Sequence, residues 1–182
     1  MGFGPGSACA VSLNTSLTPE QRARYQDVGQ INHLLESART IALVGLSSDR
    51  QKASFFVAGY LKDEGYRIVP VNPKAGTILG EKAYPDVASI PFSVDIIDIF
   101  RPPQDVDEIV NQAIARKQKG IDSPAIWMQL RIVNLPAAER ALAAGLTVIV
   151  DKCVKMEHGR YRGGLHSAGM NTEIISARRR KQ

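Results

Sequence analysis

One short unit recurs along this chain of 182 residues: a helical stretch, a glycine, and then a run of apolar residues rich in valine and isoleucine. A glycine just past a helix end can adopt the left-handed conformation that turns the chain back. The predicted helices with their closing glycines are 53–64 with Gly65, 104–119 with Gly120, and 135–144 with Gly145. Helices that alternate with apolar strands predict an α/β fold built on a parallel sheet.

Five short runs have the composition of buried strands, because they are apolar on both faces. They are 40–44, 66–71, 94–100, 125–128 and 146–150. A further helix begins at the capping residue Thr18, with Pro19 in its first turn, and runs to about Ser37. We therefore expect a Rossmann-like, doubly wound, three-layer α/β/α domain over residues 18–162, with its five strands in the order 3-2-1-4-5.

The net charge of the chain is concentrated at one end. From Lys155 onward there are seven basic and two acidic residues, and their difference equals the whole net charge of +5. The body of the domain is therefore neutral, which argues against nucleic acid as its partner. Only the basic tail over 163–182 could bind a polyanion.

The cysteines and the lengths of the apolar runs indicate the cellular compartment of the protein. The two cysteines, Cys9 and Cys153, lie in different surroundings and form no disulfide framework. Residues 1–17 lack the basic start of a signal peptide, and we expect them to form a flexible leader. No apolar run approaches the roughly 20 residues that span a membrane. These features predict a cytoplasmic protein without membrane contact.

Ligands of such a sheet bind beyond the carboxyl ends of its strands, so the loops there hold the candidate site. The loop after the first strand contains Gly45, Leu46, Ser47, Ser48 and Lys52. A glycine, hydroxyls, backbone amides and a helix N-terminus suit a phosphate or diphosphate. The loop lacks the second and third glycines of a G-x-G-x-x-G motif, and a plain strand-to-helix turn is an equal alternative.

The loop after the second strand, Val71-Asn72-Pro73-Lys74, separates two classes of ligand. An NAD-binding domain has an aspartate or glutamate here that holds the ribose hydroxyls. Instead, Pro73 offers a rigid apolar surface to an adenine, and Lys74 could meet a phosphate. An Asn-Pro turn with a solvated lysine is the alternative. Both interpretations count against NAD.

The loops after the third and fourth strands supply further candidates. Phe100, Arg101 and Pro102 follow the third strand. Arg101 could bind a phosphate there, or it could pair with the acidic residues at the start of the next helix. Gln129, after the fourth strand, is a candidate hydrogen-bonding group in the cleft.

Nucleophiles and metal ligands are sparse. Cys153 beside Lys152 could have a lowered pKa, but no histidine lies next to it. The three histidines, His33, His158 and His166, have no metal-ligand spacing. The sequence therefore predicts neither a catalytic constellation nor a metal site.

Six segments resemble a known family. They are Val-Gly-Leu-Ser-Ser at 44–48, Gly-Tyr-Arg-Ile-Val-Pro-Val-Asn-Pro-Lys at 65–74, Leu-Gly-Glu-Lys-Ala-Tyr-Pro-Asp-Val at 79–87, Val-Asp-Ile-Ile-Asp-Ile-Phe-Arg-Pro at 94–102, Ile-Trp-Met-Gln-Leu at 126–130 and Asp-Lys-Cys-Val-Lys-Met-Glu-His at 151–158. In this order and spacing the chain resembles the small bacterial CoA-binding domain proteins over about residues 20–162. Those proteins are similar to a free-standing CoA-binding domain of the succinyl-CoA synthetase α subunit.

The resemblance implies which ligand binds and which loops contact each part of it. It implies that the loop at 45–48 holds the phosphates of coenzyme A, and that 72–74 and 100–102 surround its adenosine 3′-phosphate end. Two departures stand out, because the family usually has glycine at the position of Arg131 and a shorter link than 119–124. The synthetase's second domain, with its phosphorylated histidine, has no counterpart here, so we do not expect ligase activity.

Three hypotheses of function follow. The first is a non-catalytic binder of coenzyme A or an acyl-CoA, acting as a sensor or as the partner of a CoA enzyme. The second is an oxidoreductase, either one linked to NADP or one linked to CoA that uses Cys153 as its thiol. The third is a binder of nucleic acid or an acidic partner through residues 178–181, with a solvated tail as its alternative. A protein partner or a homo-oligomer is left open.

Overall fold

The computed structural model describes residues 16–162 of the chain. Residues 1–15, including Cys9, and residues 163–182, including His166 and the basic tail, lie outside the described residues. Within residues 16–162, no helix is both long enough and apolar enough to cross a membrane.

A five-stranded parallel sheet forms the centre of the fold. Its strands are β1 (Thr40–Val44), β2 (Arg67–Val71), β5 (Ile96–Ile99), β6 (Ala125–Met128) and β7 (Val148–Ile149), in the order β2-β1-β5-β6-β7. Between β2 and β5, the chain forms a small antiparallel pair of strands, β3 (Thr77–Ile78) and β4 (Glu81–Lys82). The predicted Rossmann-like α/β class with five parallel strands is confirmed.

Helices cover both faces of the sheet. They are α1 (Pro19–Tyr25), α2 (Val28–Ser37), α3 (Ala53–Asp63), α4 (Val106–Gln118), α5 (Leu135–Ala143) and α6 (Val154–Tyr161). Residues of α2, α3 and α6 share one buried cluster with Ile41 and Trp127, whereas residues of α4 and α5 share another with Ala42 and Ile126. Because neighbouring strand residues enter opposite clusters, the sheet is buried on both sides, as its apolar composition predicts.

The predicted order of the strands is wrong for the third strand. That strand is β5, and it pairs with β1 rather than lying beyond β2, so the order in the predicted numbering is 2-1-3-4-5. The connection from β2 to β5 contains no α-helix, and its residues Val87, Ile90 and Val94 pack in the cluster of α4 and α5. The crossover from β1 to β2 thus passes over the face of the sheet that carries α3. The crossover from β2 to β5 runs in the other direction over the opposite face, so both crossovers have the same hand.

A buried arginine holds the connection from β2 to β5 in place. The Arg116 guanidinium on α4 donates to the backbone carbonyls of Val87, Ile90 and Phe92 at 3.1, 2.7 and 2.6 Å. It also pairs with the Asp122 carboxylate at 2.5 Å, and both side chains are almost completely buried. The fold therefore satisfies the polar groups of a buried loop with one fully paired side chain.

The predicted first helix is two helices. Thr18 and Gln21 form the capping box that starts α1, with N–H···O distances of 3.3 and 2.9 Å. Asp27 then caps α2 by accepting the backbone N–H of Gln30 at 2.7 Å. This second capping residue divides an apolar pattern that looks continuous in the sequence. The β3–β4 pair and α6 also have no counterpart in the prediction.

Candidate functional site

The carboxyl ends of the parallel strands form one edge, which we call the carboxyl edge. Val44 at the end of β1 is in register with Val71 on β2 and Ile99 on β5, and Ile99 is in register with Met128 on β6. The chain leaves β1 in one direction and β5 in the other, so the switch point lies between these two strands.

The topology brings all the predicted site residues to the carboxyl edge. They are Gly45, Leu46, Ser47, Ser48 and Lys52 after β1; Val71, Asn72, Pro73 and Lys74 at the end of β2; Phe100, Arg101 and Pro102 after β5; and Gln129 after β6. Their side chains differ in exposure and in the partners they already have.

Gly45 lies where two loops touch. Its φ of +88° is in the left-handed region, and a β-carbon there would lie 2.9 Å from Cδ of Arg101 and 3.3 Å from the carbonyl carbon of Phe100. Its backbone N–H donates to the Val71 carbonyl at 2.9 Å. Glycine at this position therefore allows the backbone to pass close against the loop after β5.

The rest of the loop after β1 leads into α3 and leaves the start of that helix uncapped. Leu46 is fully buried, whereas Ser48 and Lys52 are exposed. The Ser47 N–H donates to the Ser54 hydroxyl at 3.1 Å. Lys52 is the N-cap of α3, and within the described chain no side chain accepts from the first backbone N–H groups of this helix. Such a helix N-terminus favours an anion.

Asn72 braces two loops of the carboxyl edge. Its side-chain amide donates to the Leu46 carbonyl at 2.8 Å, and its side-chain oxygen accepts the Lys74 N–H at 2.9 Å. These contacts form the Asn-Pro turn that was the alternative interpretation of the sequence. In this turn Asn72 holds the loops after β1 and β2 in position. The same turn leaves Pro73 and the Lys74 side chain exposed.

Arg101 is paired with Asp105, the acidic N-cap residue just before α4. Its Nε and Nη2 atoms lie 2.9 and 2.7 Å from Oδ2 of Asp105. The Arg101 side chain is 52% exposed, and an ion pair that meets water in this way stabilises the fold by less than about 1 kcal/mol. A phosphate can therefore compete with Asp105 for this guanidinium at little cost.

A buried carboxyl group on β5 accepts hydrogen bonds from the residue that follows β6. Asp98 on β5 lies between Leu43 and Trp127 in the sheet register and is fully buried. Burial raises its pKa to about 8, and hydrogen bonds from the Gln129 amide at 2.8 and 3.0 Å oppose that shift. The amide of Gln129 is thus engaged inside the protein. Asp98 is a residue the sequence interpretation missed, although an aspartate inside an apolar strand was a visible signal.

Cys153 lies at the start of α6, and its thiol is partly buried. Burial raises its pKa, which contradicts the lowered pKa expected from its neighbour Lys152. The Lys152 ammonium lies 3.7 Å from the buried Glu157 carboxylate, which also pairs with Arg160 at 3.0 Å. The positive charge beside Cys153 is therefore already partnered.

His158 packs against two tyrosine side chains. It is buried, its Nδ1 lies 2.9 Å from the Tyr60 hydroxyl, and its ring makes edge contacts with Tyr60 and Tyr66. Burial lowers its pKa. Within residues 16–162, no group of three His, Cys, Asp or Glu side chains is placed to hold a metal ion.

Comparison with known proteins gives a consistent picture. A family model described as a CoA binding domain matches residues 39–159, which include the whole parallel sheet and every loop of the carboxyl edge. The chain is 33% identical over 129 residues to "Uncharacterized protein YneT" of Bacillus subtilis, and the match covers 71% of this chain and 92% of that protein.

Two further proteins are similar to this chain. The solved structure of a "hypothetical protein from Pyrococcus horikoshii OT3" is 36% identical, with a TM-score of 0.68 over 74% of this chain and 91% of that one. The ADP-forming acetate–CoA ligase II of Archaeoglobus fulgidus is 36% identical over 90 residues. That match covers 48% of this chain and only 13% of the ligase.

Proposed function

Because this chain belongs to the CoA binding domain family, we propose that it binds coenzyme A or an acyl-CoA at the carboxyl edge of its sheet. The observation that carries the proposal is the turn after β2. An NAD-binding domain has an acidic residue there, whereas this turn presents Pro73 and the exposed ammonium of Lys74. Coenzyme A carries a 3′-phosphate on its ribose, which a lysine attracts and a carboxylate repels.

The diphosphate of coenzyme A fits the loop after β1. Gly45 lets the backbone approach closely, and the uncapped N-terminus of α3 presents N–H groups to an anion. Lys52 and the hydroxyl of Ser48 are exposed at the same place. The resemblance implies that 100–102 contact the adenosine end; we propose instead that the ligand extends from the loop after β1 past Arg101, which can exchange Asp105 for a phosphate oxygen.

We further propose that binding, rather than catalysis, is the role of this chain, as a sensor or as the partner of a CoA enzyme. Support comes from the surroundings of Cys153 and His158. The Cys153 thiol has a raised pKa, which opposes formation of the thiolate nucleophile. His158 is buried against two tyrosines rather than placed beside that thiol.

Isothermal calorimetry with coenzyme A and NADP tests the ligand. We expect one equivalent of coenzyme A to bind and NADP to bind far more weakly, because the loop after β1 lacks the second and third glycines of a dinucleotide-binding motif. The Lys74→Ala variant is expected to weaken binding about tenfold, since one charge-assisted contact to phosphate is lost.

The matched control is Lys119→Ala, which removes an exposed lysine after the far end of α4, away from the carboxyl edge. It should bind coenzyme A like the unaltered protein. Absence of heat with coenzyme A and acetyl-CoA at millimolar concentration would rule out the proposal. Equal losses in Lys74→Ala and Lys119→Ala would rule out the site.

A further inference from the structure

Arg131 occupies a backbone position that favours glycine. Residues Gln129 to Ile132 form a turn in which the Ile132 N–H donates to the Gln129 carbonyl at 2.9 Å. Arg131 is the third residue of this turn and has a φ of +67°, whereas Leu130 before it is not left-handed. This is the arrangement of a type II turn, whose third residue is usually glycine or asparagine.

A second left-handed residue holds this turn from the neighbouring loop. Asp151 has a φ of +59°, and its carboxylate accepts the Arg131 backbone N–H at 2.6 Å. The Asp151 side chain is buried, and the next N–H, of Lys152, donates to the Met128 carbonyl at 3.3 Å. Two non-glycine residues in the left-handed region thus brace each other at the ends of β6 and β7. Strain of this kind persists where the surrounding structure enforces it, and it often marks a functional position.

The Arg131 side chain extends from the turn into solvent. The residue is exposed, and its guanidinium makes no hydrogen bond or ion pair with residues 16–162. The backbone N–H makes the contact to Asp151, and glycine would make the same contact without strain. An arginine here therefore adds a cation to the carboxyl edge and nothing that the turn itself requires.

The place of this cation along the edge indicates which part of the ligand it meets. In the proposed binding mode, the adenosine end lies at β2 and the diphosphate at β1, so the rest of coenzyme A runs toward β5 and β6. β6 lies two strand spacings from β1, which is about 10 Å. The pantetheine arm has about the length of four extended residues, or about 13 Å, so its thiol end reaches the turn of Arg131.

We propose that Arg131 is a specificity residue for the acyl end of the ligand, and that it selects acyl-CoA molecules whose acyl group ends in a carboxylate. This inference rests on the proposed function. Phosphates lie at the other end of the ligand, so a carboxylate is the anionic group that acyl chains offer to a guanidinium here. Leu130, exposed in the same turn, can contact the methylene groups that precede the carboxylate.

Pairs of acyl-CoA esters of equal length test the inference by calorimetry. Malonyl-CoA is compared with propionyl-CoA, and succinyl-CoA with butyryl-CoA, because each pair differs in a terminal carboxylate against a methyl group. We expect the carboxylated ester of at least one pair to bind about tenfold more tightly, the scale of one charge-assisted contact. In Arg131→Gln the ratio should approach one, and Arg131→Lys should retain part of it.

A third variant separates the turn from the charge. Arg131→Gly relieves the left-handed strain while it removes the cation, so it should melt at a higher temperature than the unaltered protein and still lose the preference. A preference for carboxylated esters that persists in Arg131→Gln or Arg131→Gly would overturn the inference.

Further results of these titrations would also decide against the inference. If the unaltered protein binds both members of each pair equally, Arg131 does not select the acyl group. If Arg131→Gln weakens all esters by the same factor, the guanidinium contacts coenzyme A itself and the inference is wrong. If free coenzyme A binds but no ester is preferred, only the inference falls, whereas failure of coenzyme A to bind removes the proposed function as well.

Discussion

The two halves of the carboxyl edge are built differently. The first half consists of the loops after β2, β1 and β5, and the second of the loops after β6 and β7. In the first half the left-handed position after β1 is a glycine, Gly45, and the cations of Lys52, Lys74 and Arg101 are exposed. In the second half the left-handed positions are Arg131 and Asp151.

The halves also differ in what lies beneath them. In the second half, the amide of Gln129 donates to the buried carboxyl of Asp98 on β5, and the thiol of Cys153 is partly buried. The buried residues of the first half, such as Leu46 and Val71, are apolar. The first half thus suits close approach of a polyanion to the backbone, and the second holds ionisable groups in a fixed and strained frame.

The largest expected effect concerns Asp98. Its pKa is about 8 in the folded protein, against an ordinary value of 3.8, so the folded state holds a proton that the unfolded state releases above pH 4. The stabilising contribution of Asp98 is therefore fully present below pH 4 and is lost as the pH rises to about 8. The expected slope is as much as about 1.4 kcal/mol per pH unit.

Urea unfolding of the Asp98→Asn variant between pH 5 and 8 measures this contribution. The free energy of unfolding of the variant should rise relative to the unaltered protein as the pH increases. Asp63→Asn, which removes an exposed carboxyl at the end of α3, should instead run parallel to the unaltered protein. Parallel curves for Asp98→Asn would show that the carboxyl bonded to Gln129 does not titrate in this range.

A smaller effect is expected from the glycine of the first half. Gly45→Ala places a β-carbon in a left-handed position close to Arg101 and Phe100, and we expect a loss of about 1–3 kcal/mol in the free energy of unfolding. Gly59→Ala is the matched control, since Gly59 lies within α3 with open space around its Cα and no left-handed φ. The control should gain about 0.5–1 kcal/mol. Equal changes in the two variants would mean that Gly45 has no conformational role.

The class of fold was predictable because its signals are local. Gly65, Gly120 and Gly145 all have a positive φ, as the helix–glycine–strand pattern predicts. Strands that are apolar on both faces require cover on both sides, and parallel strands bring their carboxyl ends to one edge. These rules were enough to gather the candidate site residues at that edge without any knowledge of their contacts.

The order of the strands was not predictable in the same way. It depends on the path of the connection from β2 to β5, which Arg116 holds through carbonyls 24 to 29 residues away in sequence. No local pattern encodes such contacts. The ionisation of Asp98 and the backbone strain at Arg131 are likewise properties of burial and of neighbouring loops, and the residue types alone do not reveal them.

We propose that coenzyme A binds at the first half of the carboxyl edge. Titration of the isotope-labelled protein with coenzyme A, followed by amide NMR, tests this most directly. We expect the amide signals of Gly45, Ser47 and Lys74 to shift with saturation, while those of Gly120 and Gly145 at the opposite edge stay unchanged. Shifts confined to the opposite edge, or no shifts at millimolar coenzyme A, would contradict the account.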